Sequence, residues 1–268
     1  MTLTVGIGSF GTIGRQVAGV LDRGEIGGLS LGMVSANDKA RARERMSALA
    51  KPVPVVGLAE LAACDVVLEC APAEVFEEIA VAAVEAGRVF IPTSVGALLP
   101  RMHLVDRAKQ TGARIIVPTG ALLGLDAVRA AAEGVIHSVT MVTRKPPGGL
   151  KGAPHLEKNN ISVDGLTEAK LVFEGSAREG AIGFPANVNV AAALSLAGIG
   201  PDETRLQVWA DPGVDRNTHH IEVEADSVRF SLDIANVPTE ENPKTGKLTA
   251  LSVIACLRSL TQTLKGGT

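Results

Sequence analysis

The segment Gly6-Ile7-Gly8-Ser9-Phe10-Gly11-Thr12-Ile13-Gly14 places four glycines in nine residues, between a hydrophobic run (Leu3, Val5, Ile7) and a stretch with helical spacing. Glycine stabilises neither strand nor helix, so this junction must use something a side chain would forbid. Where a strand passes directly into a helix, glycines permit a tight turn, bring backbone N–H groups up to a pyrophosphate and let the two elements pack closely. The chemistry served is the holding of a dinucleotide. Two registers fit: Gly6-x-Gly8-x-x-Gly11 matches the dinucleotide fingerprint formally, while Gly8-x-x-Gly11-x-x-Gly14 starts just after the last apolar residue of the strand. The second is preferred because Gly6 falls inside the strand pattern. It makes Gly8, Gly11, Thr12, Ile13 and Gly14 the expected cofactor-binding residues.

That fingerprint normally ends with an acidic residue at the tip of the second strand, accepting hydrogen bonds from ribose hydroxyls. Here the tip reads Ser35-Ala36-Asn37, with Asp38 late and Lys39, Arg41 and Arg43 following. A neutral Asn37 does not repel a 2′-phosphate and an arginine can pair with one, so the expected cofactor is NAD or NADP. A second candidate for chemistry is the pair His219-His220. Imidazole titrates near neutrality and can take or return a proton. Adjacent side chains of a strand face opposite sides, so only one of the two can enter a given cleft.

The elements that must position these residues follow two textures. Up to about residue 120, short runs rich in Val, Ile and Leu (Leu3–Gly8, Leu29–Ser35, Asp65–Cys70, Arg88–Thr93, Arg114–Pro118) alternate with helical stripes such as Ile13, Val17, Val20 and Leu21. Strands apolar on both faces belong in a parallel sheet covered by helices, hence a Rossmann-type doubly wound α/β domain over residues 1–120. Over residues 121–241 the runs alternate apolar and polar, as in HSVTMVTRKPP, HHIEVEA and VRFSLDIANVP. Half-exposed strands read so, and a second, α+β catalytic domain is expected there. Between its strands the stretch NVNVAAALSLAG reads as a helix. Another, from about Lys247 to Leu264 within the closing segment 242–268, is available to pack back on the first domain.

Composition narrows the classes. A chain of 268 residues with 46% hydrophobic and 21% charged side chains is an ordinary globular one, and a net charge of −3 gives no field for nucleic acid or an anionic membrane. No apolar stretch reaches the roughly 20 residues that span a bilayer, and no signal peptide is visible, so the chain reads as cytoplasmic. Cys64, Cys70 and Cys256 sit in apolar sequence away from metal-ligand spacing, so no metal site is expected. His103, His137 and His155 read as structural or surface residues.

Several stretches together resemble the L-aspartate dehydrogenases of NAD biosynthesis. DVVLECAP, SVGAL, TGALLGLDAV, TRKPPGGLKGAP, FEGSAREG, FPANVNVAAALSLAG, ADPGVDRNTHHIEVE and ENPKTGKLTALSVIACL follow in that family's order over nearly the whole chain. The resemblance implies oxidation of L-aspartate to iminoaspartate by a homodimer using NAD or NADP. The imine then hydrolyses to oxaloacetate and ammonia or passes to quinolinate synthesis. It implies that the family's Asn-x-His motif is Asn217-Thr218-His219, which selects His219 over His220 as the catalytic residue. It also implies cofactor contacts at Ala121 in TGALLG and at Asn189, the second Asn of NVNV. The glycine loop departs from the family's usual form by an extra residue at Ser9-Phe10. Since aspartate carries two carboxylates, Arg144, Lys145 and Lys244 are its candidate partners, with Lys151 a further one. Glu69 and Cys70 close a strand where they could line the site. Alternatives are a related two-domain reductase of the dihydrodipicolinate reductase or homoserine dehydrogenase kind, and a non-catalytic dinucleotide-binding sensor.

Overall fold

The computed structural model describes residues 2–185, 188–241 and 245–267. The chain divides into two compact units, Met1–Pro118 with Thr249–Lys265, and Thr119–Leu248 with Gly266–Thr268.

Six strands form the sheet of the first unit: β1 (Leu3–Gly8), β2 (Leu29–Ser35), β3 (Val55–Val56), β4 (Val66–Glu69), β5 (Val89–Pro92) and β6 (Arg114–Ile115). Their order is β3-β2-β1-β4-β5-β6 and every pairing is parallel. Parallel neighbours need crossovers, supplied by helices such as Thr12–Asp22, Lys39–Met46, Phe76–Glu85 and His103–Thr111. Helices on both faces explain why Val5, Ile7, Val66, Val67 and Leu68 are all inaccessible. The strand order reverses between β1 and β4, where Gly8 pairs with Glu69. In doubly wound sheets, ligands bind at the carboxyl ends of the strands at that reversal. β3 was not legible as a strand: it is two residues long, at the sheet edge, just after Pro52 and Pro54. The closing helix Lys247–Ser259 buries Val253 and Leu257 in this unit's core. It stops short of Leu264, because Leu260 and Thr261 turn out through shorter-range bonds to Leu257 and Arg258 and the Thr261 hydroxyl donates to the Gly27 carbonyl.

The sheet of the second unit holds β7 (Ile136–Lys145), β8 (Lys170–Ser176), β9 (Arg205–Ala210), β10 (Thr218–Ala225) and β11 (Arg229–Ala235), in the order β11-β10-β7-β9-β8. Only β7 and β9 run parallel. One face is apolar: Val139 and Met141 of β7, Leu206 and Val208 of β9, and Ile221 and Val223 of β10 share a core with Val128 of the helix Leu125–Ala131 and with Ala191 and Leu194 of the helix Asn189–Ala197. The opposite face carries Thr140, Arg144, Glu222 and Asp233 at partly or fully exposed positions. Strand period therefore decides, residue by residue, what faces the core.

Candidate active site

At the first βα turn, β1 ends at Gly8 and the helix begins at Thr12, capped by Gly11 with no side-chain hydrogen bond and no acidic residue in its first turn. The three glycines of the preferred register do different work. A Cβ at Gly14 would stand 2.1 Å from the Ser9 carbonyl, which is backbone, and one at Gly8 would stand 2.8 Å from the terminal methyl of Ile79 and 3.3 Å from the Leu68 carbonyl, so Gly14 is the stricter packing requirement and Gly8 a tight one. A Cβ at Gly11 would meet only Ser9 Oγ, at 3.6 Å. Open space at the mouth of an otherwise tight turn is where a pyrophosphate can approach the backbone. Gly6 lies inside β1 against the Leu61 carbonyl, away from the turn.

The loop carries one unusual backbone conformation. Ser9 takes φ of 106°, rare for a side chain other than glycine. It is held by its own N–H donating to Ser35 O at 3.1 Å, while the Cys70 thiol donates to its carbonyl at 3.5 Å. Burial pushes the Cys70 thiol far up, so it stays protonated as a donor. Glu69 does not line an opening: it is inaccessible, and its carboxylate accepts from the Ala71, Thr93 and Ser94 backbone N–H groups and the Ser94 hydroxyl at 2.9–3.2 Å. It ties together the segments that follow β4 and β5. At the tip of β2, Asn37 is exposed, and Asp38 caps the helix Lys39–Met46 by accepting from Arg41 N at 2.9 Å. Arg41 and Arg43 are exposed, and Arg45 reaches back to the Phe10 carbonyl at 3.5 Å.

In the second unit, His219 and His220 point to opposite faces of β10. His219 is 3% exposed and stands directly across from Thr143 of β7 and Ile234 of β11. Its Nδ1 is 2.8 Å from the Thr143 hydroxyl, which can itself donate to the Thr218 carbonyl at 3.4 Å. With the hydroxyl proton on that carbonyl, the oxygen accepts from Nδ1–H and leaves Nε2 as the basic nitrogen. Burial, reinforced by the charge of Lys145, pushes the imidazole down to about 3, so it stays neutral at ordinary pH. Lys145, two residues along β7 from Thr143, is on the same buried face, and burial pushes it down to about 8.

Arg144 is on the other face. Its guanidinium pairs with Asp211 at 3.0 Å and stacks 4.8 Å from the Trp209 ring centre. His220 is also there, bound through Nδ1 to Asp233 at 2.7 Å, which raises its pKa. A cavity of about 290 Å³ is lined by Val142, Arg144, His220 and Asp233 of that side and also reaches His219 and Ile234. Lys151 is exposed and paired with Asp164. Lys244 lies outside the described residues. The structure therefore gathers Lys145 with His219 and sets Arg144 and Lys151 apart from them.

Two further groups were not singled out by sequence. Thr143 is invisible without the register of β7 on β10. Buried Asn236, two residues past Ile234, donates from Nδ2 to the Ala121 carbonyl at 3.1 Å and from its backbone to Asn217 O at 3.0 Å, so it ties Ala121 to the same end of the sheet. Asn189 opens the helix Asn189–Ala197. Among the described residues, no group of three or more His, Cys, Asp or Glu is placed to hold a metal, and no helix is long and apolar enough to cross a membrane.

Comparison with known proteins adds independent findings. Residues 126–260 match the model described as aspartate dehydrogenase, C-terminal, and residues 10–118 match the one described as homoserine dehydrogenase, NAD binding domain. The chain is 55% identical to an L-aspartate dehydrogenase of Bradyrhizobium diazoefficiens over 99% of its own length and 94% of that protein. It is 53% identical to L-aspartate dehydrogenase 3 of Bordetella bronchiseptica, covering 99% of this chain and 98% of that one. Among solved structures, the aspartate dehydrogenase of Thermotoga maritima superposes with a TM-score of 0.72 at 25% identity, covering all of both chains.

Proposed function

The chain belongs to the aspartate dehydrogenase family, and from that premise we propose that it oxidises L-aspartate to iminoaspartate with NAD or NADP. The observation that carries the reading is His219: a buried, neutral imidazole oriented through Nδ1 by Thr143. The α-amino group of an amino acid arrives as an ammonium and must lose a proton before its lone pair can drive hydride from Cα. Nε2 of His219 takes that proton. A bound nicotinamide supplies the hydride acceptor. Afterwards the same imidazole assists water in attacking the imine carbon, and oxaloacetate and ammonia result. Thr143 holds the ring at one angle throughout, which limits the orientations lost on reaching the reactive geometry.

Gly8, Gly11, Thr12, Ile13 and Gly14 are the residues that would hold the pyrophosphate. The tight packing at Gly8 and Gly14 and the clear approach at Gly11 fit that group. For the adenosine end we read both cofactors as acceptable. Asp38 is engaged as a helix cap, Asn37 is neutral, and the arginines beyond can pair with a 2′-phosphate. The homoserine dehydrogenase match concerns the cofactor-binding segment, whereas the aspartate dehydrogenase match covers His219 and Lys145. The test follows absorbance of the reduced nicotinamide with L-aspartate, L-homoserine or no amino acid. Reduction of NAD or NADP that depends on aspartate is expected; reduction with homoserine alone, or cofactor binding without turnover, overturns the proposal.

A further inference from the structure

Lys145 is a buried cation with no group to neutralise it. It is 4% exposed, and among the described residues its ammonium makes no ion pair and no hydrogen bond. Asp211, whose N–H donates to the Lys145 carbonyl, turns its carboxylate to the other face and spends it on Arg144. An ammonium taken out of water without an anion is disfavoured, and a fold that only needed to fill this position would do so better with an apolar side chain.

We propose that Lys145 anchors a carboxylate of the substrate beside His219, and that this carboxylate cancels the lysine charge that opposes arrival of a proton on the ring. The inference rests on the reading of the site as one for an amino dicarboxylate. Register supplies the geometry. Thr143 is directly opposite His219, so Lys145 is its diagonal neighbour on the same face, a separation of roughly 7–8 Å that long side chains bridge. The other residues facing His219 do not titrate: Ile234 lies across on β11, Val208 lies beyond Thr143 on β9, and neutral Asn236 follows Ile234. Among the described residues, the lysine is thus the one charge acting on the imidazole.

Lys145 thus sets a cation beside a neutral ring whose protonation both burial and that charge oppose. A carboxylate on Lys145 removes the repulsion and favours the imidazolium. The proton leaves the substrate nitrogen for Nε2, and the freed lone pair becomes the C=N bond as hydride departs from Cα. An amino acid without a second carboxylate supplies one anion fewer, so the same device that activates the base selects the substrate.

Succinate, a dicarboxylate with no amine to oxidise, tests this by isothermal titration in buffers of different ionisation enthalpy, which reports affinity and proton uptake together. Wild type is expected to take up protons on binding near pH 8, where free Lys145 titrates. Lys145→Met should weaken succinate at least about tenfold, roughly the loss of one charge-assisted contact, and abolish the uptake. Lys145→Arg should bind within a few-fold of wild type yet show no uptake near pH 8, because guanidinium does not titrate there. Unchanged affinity and uptake in folded Lys145→Met, or normal uptake in Lys145→Arg, overturns the proposal. Should Lys145→Met fail to fold, the arginine variant decides alone. If wild type binds succinate as described but does not oxidise aspartate, the substrate reading fails while the anion anchor stands; aspartate oxidation with Lys145 variants that bind succinate normally is the reverse result.

Discussion

The glycine turn of the first unit and the strand end of the second, the two halves of the proposed site, use the chain in opposite ways. At the turn, side chains are removed. Gly14 has no room for a Cβ and Gly8 little, Gly11 keeps the approach clear, and the groups on offer are backbone N–H groups at a helix start. At the strand end, polar side chains are added where the fold would favour apolar ones: Thr143, Lys145, His219 and Asn236 occupy buried positions at one end of a face otherwise made of Val, Met, Leu and Ile. A backbone site is local, and depends on a few consecutive residues. A side-chain site depends on the register between strands far apart in sequence, and each of its members carries a desolvation penalty that function must justify.

Breaking the side-chain site should have the largest effect. His219→Gln keeps a polar group beside Thr143 and removes the base, so turnover with aspartate should fall by roughly 10² to 10⁴, while nucleotide affinity by fluorescence titration stays at the wild-type value. A parallel loss of nucleotide binding would mean that the two regions are not separable. Within the turn, two glycines sharpen the contrast. Gly11→Val should fold normally, since only Ser9 Oγ lies near the new side chain, yet should lose nucleotide binding. Gly14→Ala should lower the melting temperature, because its Cβ collides with backbone that cannot give way, and overpacking of this kind costs about 1–3 kcal/mol or more. Equal behaviour of the two variants would remove the distinction between an approach glycine and a packing glycine.

The same asymmetry governs what could be read in advance. β1 and β2 have the bounds that their apolar runs suggest, Leu3–Gly8 and Leu29–Ser35, because strands buried on both faces announce themselves by composition alone. The glycine turn was legible for the same local reason, although the positive φ of Ser9 was not, since nothing in a Gly-Ser-Phe-Gly string says which residue will carry the strain. In the second unit, alternation was enough to say that His219 and His220 diverge. It could not say that Lys145 shares a face with His219, because that follows from Thr143 pairing with His219 across 76 positions. Asn236 escaped notice for a similar reason. Its partner, the Ala121 carbonyl, is 115 residues away.

Lys145 allows the desolvation argument to be measured directly. Its pKa is depressed from 10.5 to about 8 by burial, so the folded protein holds the proton less tightly than the unfolded chain. The penalty is therefore present in full below pH about 8 and disappears as pH rises toward 10.5, where the unfolded lysine also becomes neutral. At about 1.4 kcal/mol per unit, removal of the charge is worth up to about 3 kcal/mol. Lys145→Met should be more stable than wild type in denaturant at neutral pH while being the poorer enzyme, and the gap should close as pH approaches 10. A Lys145→Met protein less stable than wild type at neutral pH would show that the ammonium is already compensated within the fold, and the contrast between added and removed side chains would lose its energetic basis.

The smallest expected effect is at His220, next in sequence to the proposed base. Asp233, with Glu222 beyond it, raises its pKa, but the ring is well exposed and solvent screens the pair. A raised pKa means that any stabilisation is complete below the unfolded value of about 6.5 and fades as pH climbs through the folded one. His220→Ala should thus lower the melting temperature slightly in mild acid and not at all once the folded imidazole is deprotonated, with a change within about 0.5 kcal/mol and turnover within about twofold of wild type. The near-silence of this variant is what gives His219→Gln its meaning, since the two positions share a strand, a residue type and the same two neighbouring strands, and differ in the face on which they lie and so in their partners, Thr143 and Ile234 against Val142 and Asp233. Large loss of turnover in His220→Ala with little in His219→Gln would place the reacting groups on the Arg144 face, and the assignment of the base would pass to the other ring.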